Sequence, residues 1–374
     1  MIEFKKRYNI LYFYPGSAGN FFSYINFMNT IQTIRKIISN KNVAFVPATL
    51  LKRNICLLDI GARDGVGWPW CTAPNNILDV ILVEPDPVEA KALEKQGQGK
   101  IIPYALWNTE TELMLNINNS PGTSSVFEAN MPFLQQFDEA QRFMAKDKII
   151  MRAKTVDGLA KNNEISVIDF VKIDVQGGEL AILQGGESFF KENIIGLEVE
   201  VEFSPMYKDQ PLFSDIDVFA REKLGLELWD IRKTYWKYKQ EKYQAPLKGR
   251  LIFGDALYLR PVLTLNDWLS TMDKGTATEK LHALITTTIA YGFLDYTLTL
   301  LNADFVESYL TKEDRKTFIQ HVGKISNGFY PFKNGSKVLY QVLNVLAHSF
   351  KPMYKGWGDG EPHLGSKKKL FFWL

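Results

Sequence analysis

Three carboxylates, Asp59, Glu84 and Asp174, each stand at the close of an apolar run of strand length. Ile55–Ile60 carries Asp59 and is followed by Gly61, Gly65 and Gly67, where the chain must turn. Val80–Val83 ends on Glu84, with Pro85 and Pro87 behind it, and Val167–Ile173 delivers Asp174 ahead of Gly177 and Gly178. Glycine lets backbone approach a ligand closely at the carboxyl end of a first parallel strand, and an acid ending the second strand can accept both ribose hydroxyls. The glycine order here is GxxxGxG, whereas a dinucleotide cradle reads GxGxxG. An acidic strand end before such a turn suits a ligand with a positive charge and no phosphates, and S-adenosylmethionine meets both conditions. In this reading Asp59 and the turn Gly61-Ala62-Arg63 to Gly65 hold the methionine end. Glu84, with Pro85 beside it, takes the ribose, Ala105 and Leu106 border the adenine, and Asp174 reaches into the crevice.

Positioning those acids requires alternating strands and helices, and the chain supplies them. Strands are expected at Ile55–Ile60, Val80–Glu84, Lys100–Trp107, Val167–Ile173, Ile194–Phe203, Leu226–Ile231 and Leu251–Leu259. Helices are expected at Pro87–Gln96, Glu179–Phe190 and Ser214–Leu224, with a short irregular one in Trp68–Leu78. This rhythm implies an α/β fold, a parallel sheet with helices on both faces. Residues 108–155 interrupt it with polar turns and a helix-like Phe133–Ala145, and so long an insertion is expected to be a substrate-facing flap. Arg232–Lys239 reads as a basic, aromatic loop.

Upstream, Phe21–Ser39 has the spacing of one amphipathic helix. After Pro261 only helices are expected, at Thr278–Leu301, Lys312–Ile325 and Val338–Phe350. The division is therefore 1–54, an N-terminal helical extension; 55–260, the catalytic sheet domain; and 261–374, a helical segment that caps the domain or joins subunits in a homo-oligomer. With 374 residues, 46% hydrophobic and 23% charged, the chain has the composition of a globular protein with ample core. A net charge of +2 gives no ground for a nucleic-acid partner. Two cysteines, Cys56 and Cys71, make no disulfide framework and fit a reducing, cytoplasmic setting. The N-terminus lacks the apolar core and cleavage site of a signal peptide. Membrane contact, at the inner face, is expected only through the tail Lys367-Lys368-Lys369-Leu370-Phe371-Phe372-Trp373-Leu374.

Several motifs in order, Leu58–Gly65, Glu84-Pro85-Asp86, Ser124-Ser125, Thr155–Leu159, Lys172–Glu179 and Leu197–Glu200, resemble the FkbM family of S-adenosylmethionine-dependent methyltransferases. The likeness covers residues 55 to 260. It implies a Rossmann-like, seven-stranded class I methyltransferase sheet, S-adenosylmethionine as cofactor, and O-methylation of a hydroxyl on a glycan or similar polar small molecule. It also carries Ser124 and Ser125 to the substrate side, where the ring of Trp236 could stack on a sugar face. The family's first loop has asparagine where Arg63 stands.

Methyl transfer to an alcohol needs a group that accepts its proton, and Asp174 or Glu198 is expected to do so. The four histidines, His282, His321, His348 and His363, all lie outside the sheet domain. Alternation places Glu198, Glu200 and Glu202 on one strand face. The other route to an acidified hydroxyl is a hard divalent ion on Asp174 and Glu198 with Glu200 or Glu179; no metal ligand set is assigned. A nicotinamide-dependent oxidoreductase, or a cofactor-binding scaffold without catalysis, are the competing classes. The first is disfavoured by the missing GxGxxG.

Overall fold

A computed structural model describes residues 45–63, 65–97, 99–239, 248–327, 337–349 and 356–357. The Phe21–Ser39 helix and the lysine-rich C-terminal tail lie outside these residues. The strands are β1 (Ile55–Ile60), β2 (Leu78–Val83), β3 (Lys100–Ile102), β4 (Ala105–Leu106), β5 (Thr111–Asn118), β6 (Ala145–Lys154), β7 (Phe170–Ile173), β8 (Gly196–Glu202), β9 (Glu227–Trp236) and β10 (Arg250–Leu259). Seven of them form one sheet in the order β3-β2-β1-β7-β8-β10-β9. From β3 to β8 the pairs are parallel, and β10 runs antiparallel between β8 and β9. The strand order reverses between β1 and β7, which opens a crevice at their carboxyl ends.

Helices cover both faces because every residue of β1 is buried, the signature of a parallel strand shielded on two sides. One face carries Leu58, Ile60, Val171, Ile173 and Val199. It packs under α2 (Val156–Lys161), α3 (Glu179–Gly185), α4 (Glu187–Asn193) and α5 (Phe213–Glu222), while α1 (Pro87–Gln96) connects β2 to β3. The opposite face carries Ile55, Leu57, Phe170, Leu257 and Leu259. It packs against helices from the C-terminal third: α6 (Val262–Leu269), α7 (Lys274–Ala290), α8 (Leu294–Leu301) and α9 (Lys312–Asn327). A further helix, α10 (Lys337–Ser349), follows.

A buried ionic tie joins this helical layer to the sheet. Asp169, fully buried immediately before β7, accepts hydrogen bonds from Arg53, from the Cys56 N–H and from Lys280 of α7. Burial alone would push its carboxyl up, but the Arg53 guanidinium and the Lys280 ammonium hold it below the usual range. His282 turns inward from the same helix, its Nδ1 2.6 Å from the Leu50 carbonyl.

Several expected elements take a different form. The strand expected over Lys100–Trp107 divides at Pro103, which has no N–H to continue a ladder; β3 stays in the main sheet and β4 joins a second one. In that second sheet, β4-β6-β5, the insertion supplies β5 and β6. The expected Phe133–Ala145 helix is instead a single turn at Met131–Leu134 and a 3-10 stretch at Asp138–Phe143. The Arg232–Lys239 loop is largely strand. β9 runs to Trp236 because Thr234, Tyr235 and Trp236 favour a pleated surface and pair with β10. The single helix expected over Thr278–Leu301 breaks at Tyr291-Gly292-Phe293 into α7 and α8. Among the described residues no helix is long and apolar enough to cross a membrane.

Candidate active site

The register of β1 sets Asp59 beside Leu82 of β2 and Lys172 of β7, so the carboxyl ends of these strands share one rim. Beyond that rim lies a cavity of about 300 Å³. The turn after β1 contributes Gly61 and Arg63, and the end of β2 contributes Glu84 and Pro85. Ala105 and Leu106 of β4 form an apolar wall, and the segment after β7 supplies Asp174 and Gln176. The insertion closes the opposite side with Ser124 and Met151.

Glu84 is anchored by the Asp86 N–H, 2.9 Å from one carboxylate oxygen. No hydrogen bond among the described residues engages its other oxygen. Burial pushes its carboxyl up. Arg63 stays at the mouth, 3.6 Å from Asp86 and 4.0 Å from Glu89. Asp86 in turn caps α1 by accepting the Val88 N–H, so one helix start positions both the ribose-type acid and the arginine.

A second cavity, of about 240 Å³, adjoins the first. Arg142, Glu200, Arg232, Trp236, Asp255 and Trp357 line it, and Asp174, Gln176 and Gly122 line both cavities. Asp174 accepts a 3.0 Å hydrogen bond from the Gln176 side-chain amide. The same amide nitrogen donates to Glu200, and the Gln176 side-chain oxygen accepts from the Tyr207 hydroxyl. Gln176 therefore bridges the two cavities, and its φ of 60° holds an L-residue in a sparsely populated region of the kind found at ligand clamps.

Behind the shared wall the carboxylates outnumber the cations. Lys172 lies 3.6 Å from Asp59 and 3.9 Å from Asp174. Burial by itself would lower its pKa, but Asp59, Asp174, Glu198 and Asp255 together raise it. Arg232 pairs with Asp255 across β9 and β10. Burial pushes Glu198 and Glu179 up to about 7, and lifts Glu200 and Glu202 well above the ordinary range.

Of the residues assigned from sequence, Gly61, Arg63, Glu84, Pro85, Ala105, Leu106, Ser124 and Asp174 line the first cavity and Trp236 lines the second. Ala62 and Gly65 belong to the turn without lining either. Asp59 is 0% exposed and also lines neither. Its position in the alternation of β1 turns it to the face of Lys172, which draws it inward. Glu198 lies outside both linings as well: the Tyr291 hydroxyl donates to it at 2.6 Å, and α7 covers that part of the face. Ser125 is buried and ties the insertion to the loop after β7, donating to the Gln176 carbonyl. Gln176, Glu200, Arg232, Asp255 and Arg142 were absent from the assigned set. Gln176 could have been found from its place between Asp174 and the glycine pair. Glu200 was legible as one of three alternating strand acids and Arg232 as part of the basic, aromatic stretch, whereas Asp255 and Arg142 carry no local signal.

These residues fit a nucleoside-sulfonium cofactor. One Glu84 oxygen is open to a hydroxyl pair, Ala105 and Leu106 add apolar wall, and among the described lining residues Arg63 is the single basic side chain, too few for a phosphate cradle. The methyltransferase FkbM domain family matches residues 59–225. Among solved structures, methyltransferase FkbM from Methylobacillus flagellatus is similar at 12% identity and a TM-score of 0.33, over 58% of this chain and 48% of that one. This chain thus spans about half the length of that relative. TrmK from M. capricolum, solved with S-adenosylhomocysteine, aligns at 13% identity and a TM-score of 0.27, over 74% of this chain and 95% of its own. TYW2 from M. jannaschii, solved with AdoMet, aligns at 15% identity and a TM-score of 0.25, over 57% and 73%. No curated protein matches the chain. Residues 59–225 thus match the methyltransferase FkbM domain, and the chain sets them on a seven-stranded, mostly parallel sheet with an acid-lined crevice at its carboxyl ends.

Proposed function

We propose that the protein binds S-adenosylmethionine in the first cavity and methylates a hydroxyl of a glycan or similar polar small molecule held in the second. The observation that carries this reading is the shared wall, since Asp174 and Gln176 line both cavities. A group at that wall touches both ligands at once.

When bound, S-adenosylmethionine supplies a methyl group on a positively charged sulfur that departs as a neutral thioether. Glu84 accepts hydrogen bonds from the ribose hydroxyls through its open oxygen, and Ala105 and Leu106 border the adenine ring. Asp174 stands at the junction and accepts the acceptor hydroxyl's proton as the new O–C bond forms. Gln176 fixes the Asp174 carboxylate by donating to it. On the acceptor side, Trp236 and Trp357 offer apolar ring area while Arg142 and Arg232 offer donors, a mixture suited to a sugar. Among the described residues the indole N–H of Trp236 has no hydrogen-bond partner, which favours a polar ligand beside it.

Calorimetry with S-adenosylmethionine and NAD tests the cofactor. Tighter binding of NAD would end this reading. Methyl transfer to a panel of glycan acceptors then tests Asp174: Asp174→Ala is expected to lower turnover about 10²–10⁴-fold, the usual worth of a general base. Unchanged turnover would remove Asp174 from the mechanism.

A further inference from the structure

Deeper than the shared wall, three carboxylates converge. Glu179, Glu200 and Glu202, all buried, each bring an oxygen to within 4.8 Å of the other two. Glu179 is oriented by the N–H groups of Val175 and Gly177, both at 2.8 Å. Glu200 accepts from the Gln176 amide. Glu202 is different: it is 0% exposed, and among the described residues neither of its oxygens has a hydrogen-bond partner. A buried carboxylate in that state is costly unless something positive or protic meets it.

No side-chain cation does so. Among the described residues no ion pair reaches the trio. Lys172 is engaged by Asp59 and Asp174, and Arg232 by Asp255. The spacing decides what could fill the gap. Three points no more than 4.8 Å apart share a position within about 2.8 Å of each (4.8 Å divided by √3). Calcium binds oxygen at roughly 2.3–2.6 Å, so even at that upper bound a contraction of a few tenths of an ångström suffices, and its flexible shell tolerates an irregular trio, whereas magnesium at about 2.0–2.1 Å demands a near-ideal octahedron. Glu200 also lines the second cavity, which gives an ion its way in.

We propose that Glu179, Glu200 and Glu202 bind one hard divalent cation of calcium's size at the back of the second cavity. Glu202 supplies the ligand that nothing in the protein satisfies. Glu179 is held in place by the loop after β7, and Glu200 couples the ion through Gln176 to Asp174. Water and the remaining carboxylate oxygens complete a shell of six to eight.

The test uses the full chain, stripped with a chelator and titrated calorimetrically with calcium chloride and, separately, magnesium chloride. The expected result is one calcium per chain, bound more tightly than magnesium, with a higher melting temperature in calcium. Glu202→Gln and Glu200→Gln are each expected to weaken calcium binding at least about tenfold, as loss of one charged ligand does. Two variants are used so that a folding failure of one leaves the other decisive. Absence of saturable calcium binding in the wild-type chain would overturn the proposal and leave the trio neutralised by protons. Unaltered calcium binding by Glu202→Gln, or preference for magnesium, would overturn it as well. No step depends on methyl transfer, so the result stands apart from the functional reading.

Discussion

Replacing Gly61 by alanine tests whether the rim of the first cavity is set by backbone contact. Gly61 has a φ of +86°, and a Cβ placed on it would lie 2.0 Å from the Asp174 carbonyl oxygen, where ordinary contact begins near 3.4 Å. The shortfall of about 1.4 Å cannot be absorbed by a flexible side chain, because the obstacle is backbone at the end of β7. The left-handed conformation adds about 1–2 kcal/mol for an L-residue. The turn is also stitched to β2, since the Gly61 N–H donates to the Val83 carbonyl at 3.1 Å. The ends of β1 and β7 must therefore part, carrying Asp174 with them. A displacement near 1 Å at a reacting centre lowers rate by roughly 10²-fold. The assay pairs calorimetry with S-adenosylhomocysteine and single-turnover methyl transfer, with Gly97→Ala as control. Gly97 shares the left-handed conformation, φ +64°, but a Cβ there meets nothing within 4 Å. It ends α1, so its replacement should cost only about 1–2 kcal/mol of stability and leave cofactor affinity unchanged. Gly61→Ala binding the cofactor as wild type, or Gly97→Ala losing it equally, would refute the close-approach argument.

Glu84→Ala removes the acid proposed to hold the ribose hydroxyls and should weaken S-adenosylhomocysteine binding roughly 10- to 100-fold, as charged hydrogen bonds are worth about 1.5–3 kcal/mol; an unchanged dissociation constant would displace Glu84 from the site. Asp169→Asn strands Lys280 inside the protein and should destabilise it by about 3–5 kcal/mol, read by denaturant unfolding. Because the folded-state pKa of Asp169 lies below the ordinary 3.8, its contribution is complete above that pH. It is lost as pH falls through the lower, folded-state value, so the gap between variant and wild type should close in acid. A gap that widens in acid would contradict the ion-pair account.

Local pattern carried a good part of this architecture. Apolar runs of strand length, ended by Asp59, Glu84 and Asp174 and punctuated by glycine and proline, located the parallel strands. Period-two alternation placed Glu198, Glu200 and Glu202 on one face of β8, and all three are buried there. The residues of the first cavity were legible because they sit at strand ends, where chain direction alone decides which edge they reach. The boundaries within the insertion were not legible. Pro103 diverts the chain into a second sheet, and the strand preference of Thr234–Trp236 is realised by pairing with β10.

What alternation cannot tell is which neighbour covers a face. Asp59 and Glu198 have the same local character as Asp174, yet the first is drawn to Lys172 and the second lies under α7 against Tyr291. The second cavity joins Arg142, Glu200, Arg232, Asp255 and Trp357, residues far apart along the chain. The chain by itself therefore determined most strands of the main sheet and the acids at their ends. Only tertiary packing decided which acids meet a cavity and which meet each other, because burial and pairing depend on the element that arrives opposite, and no single segment encodes that.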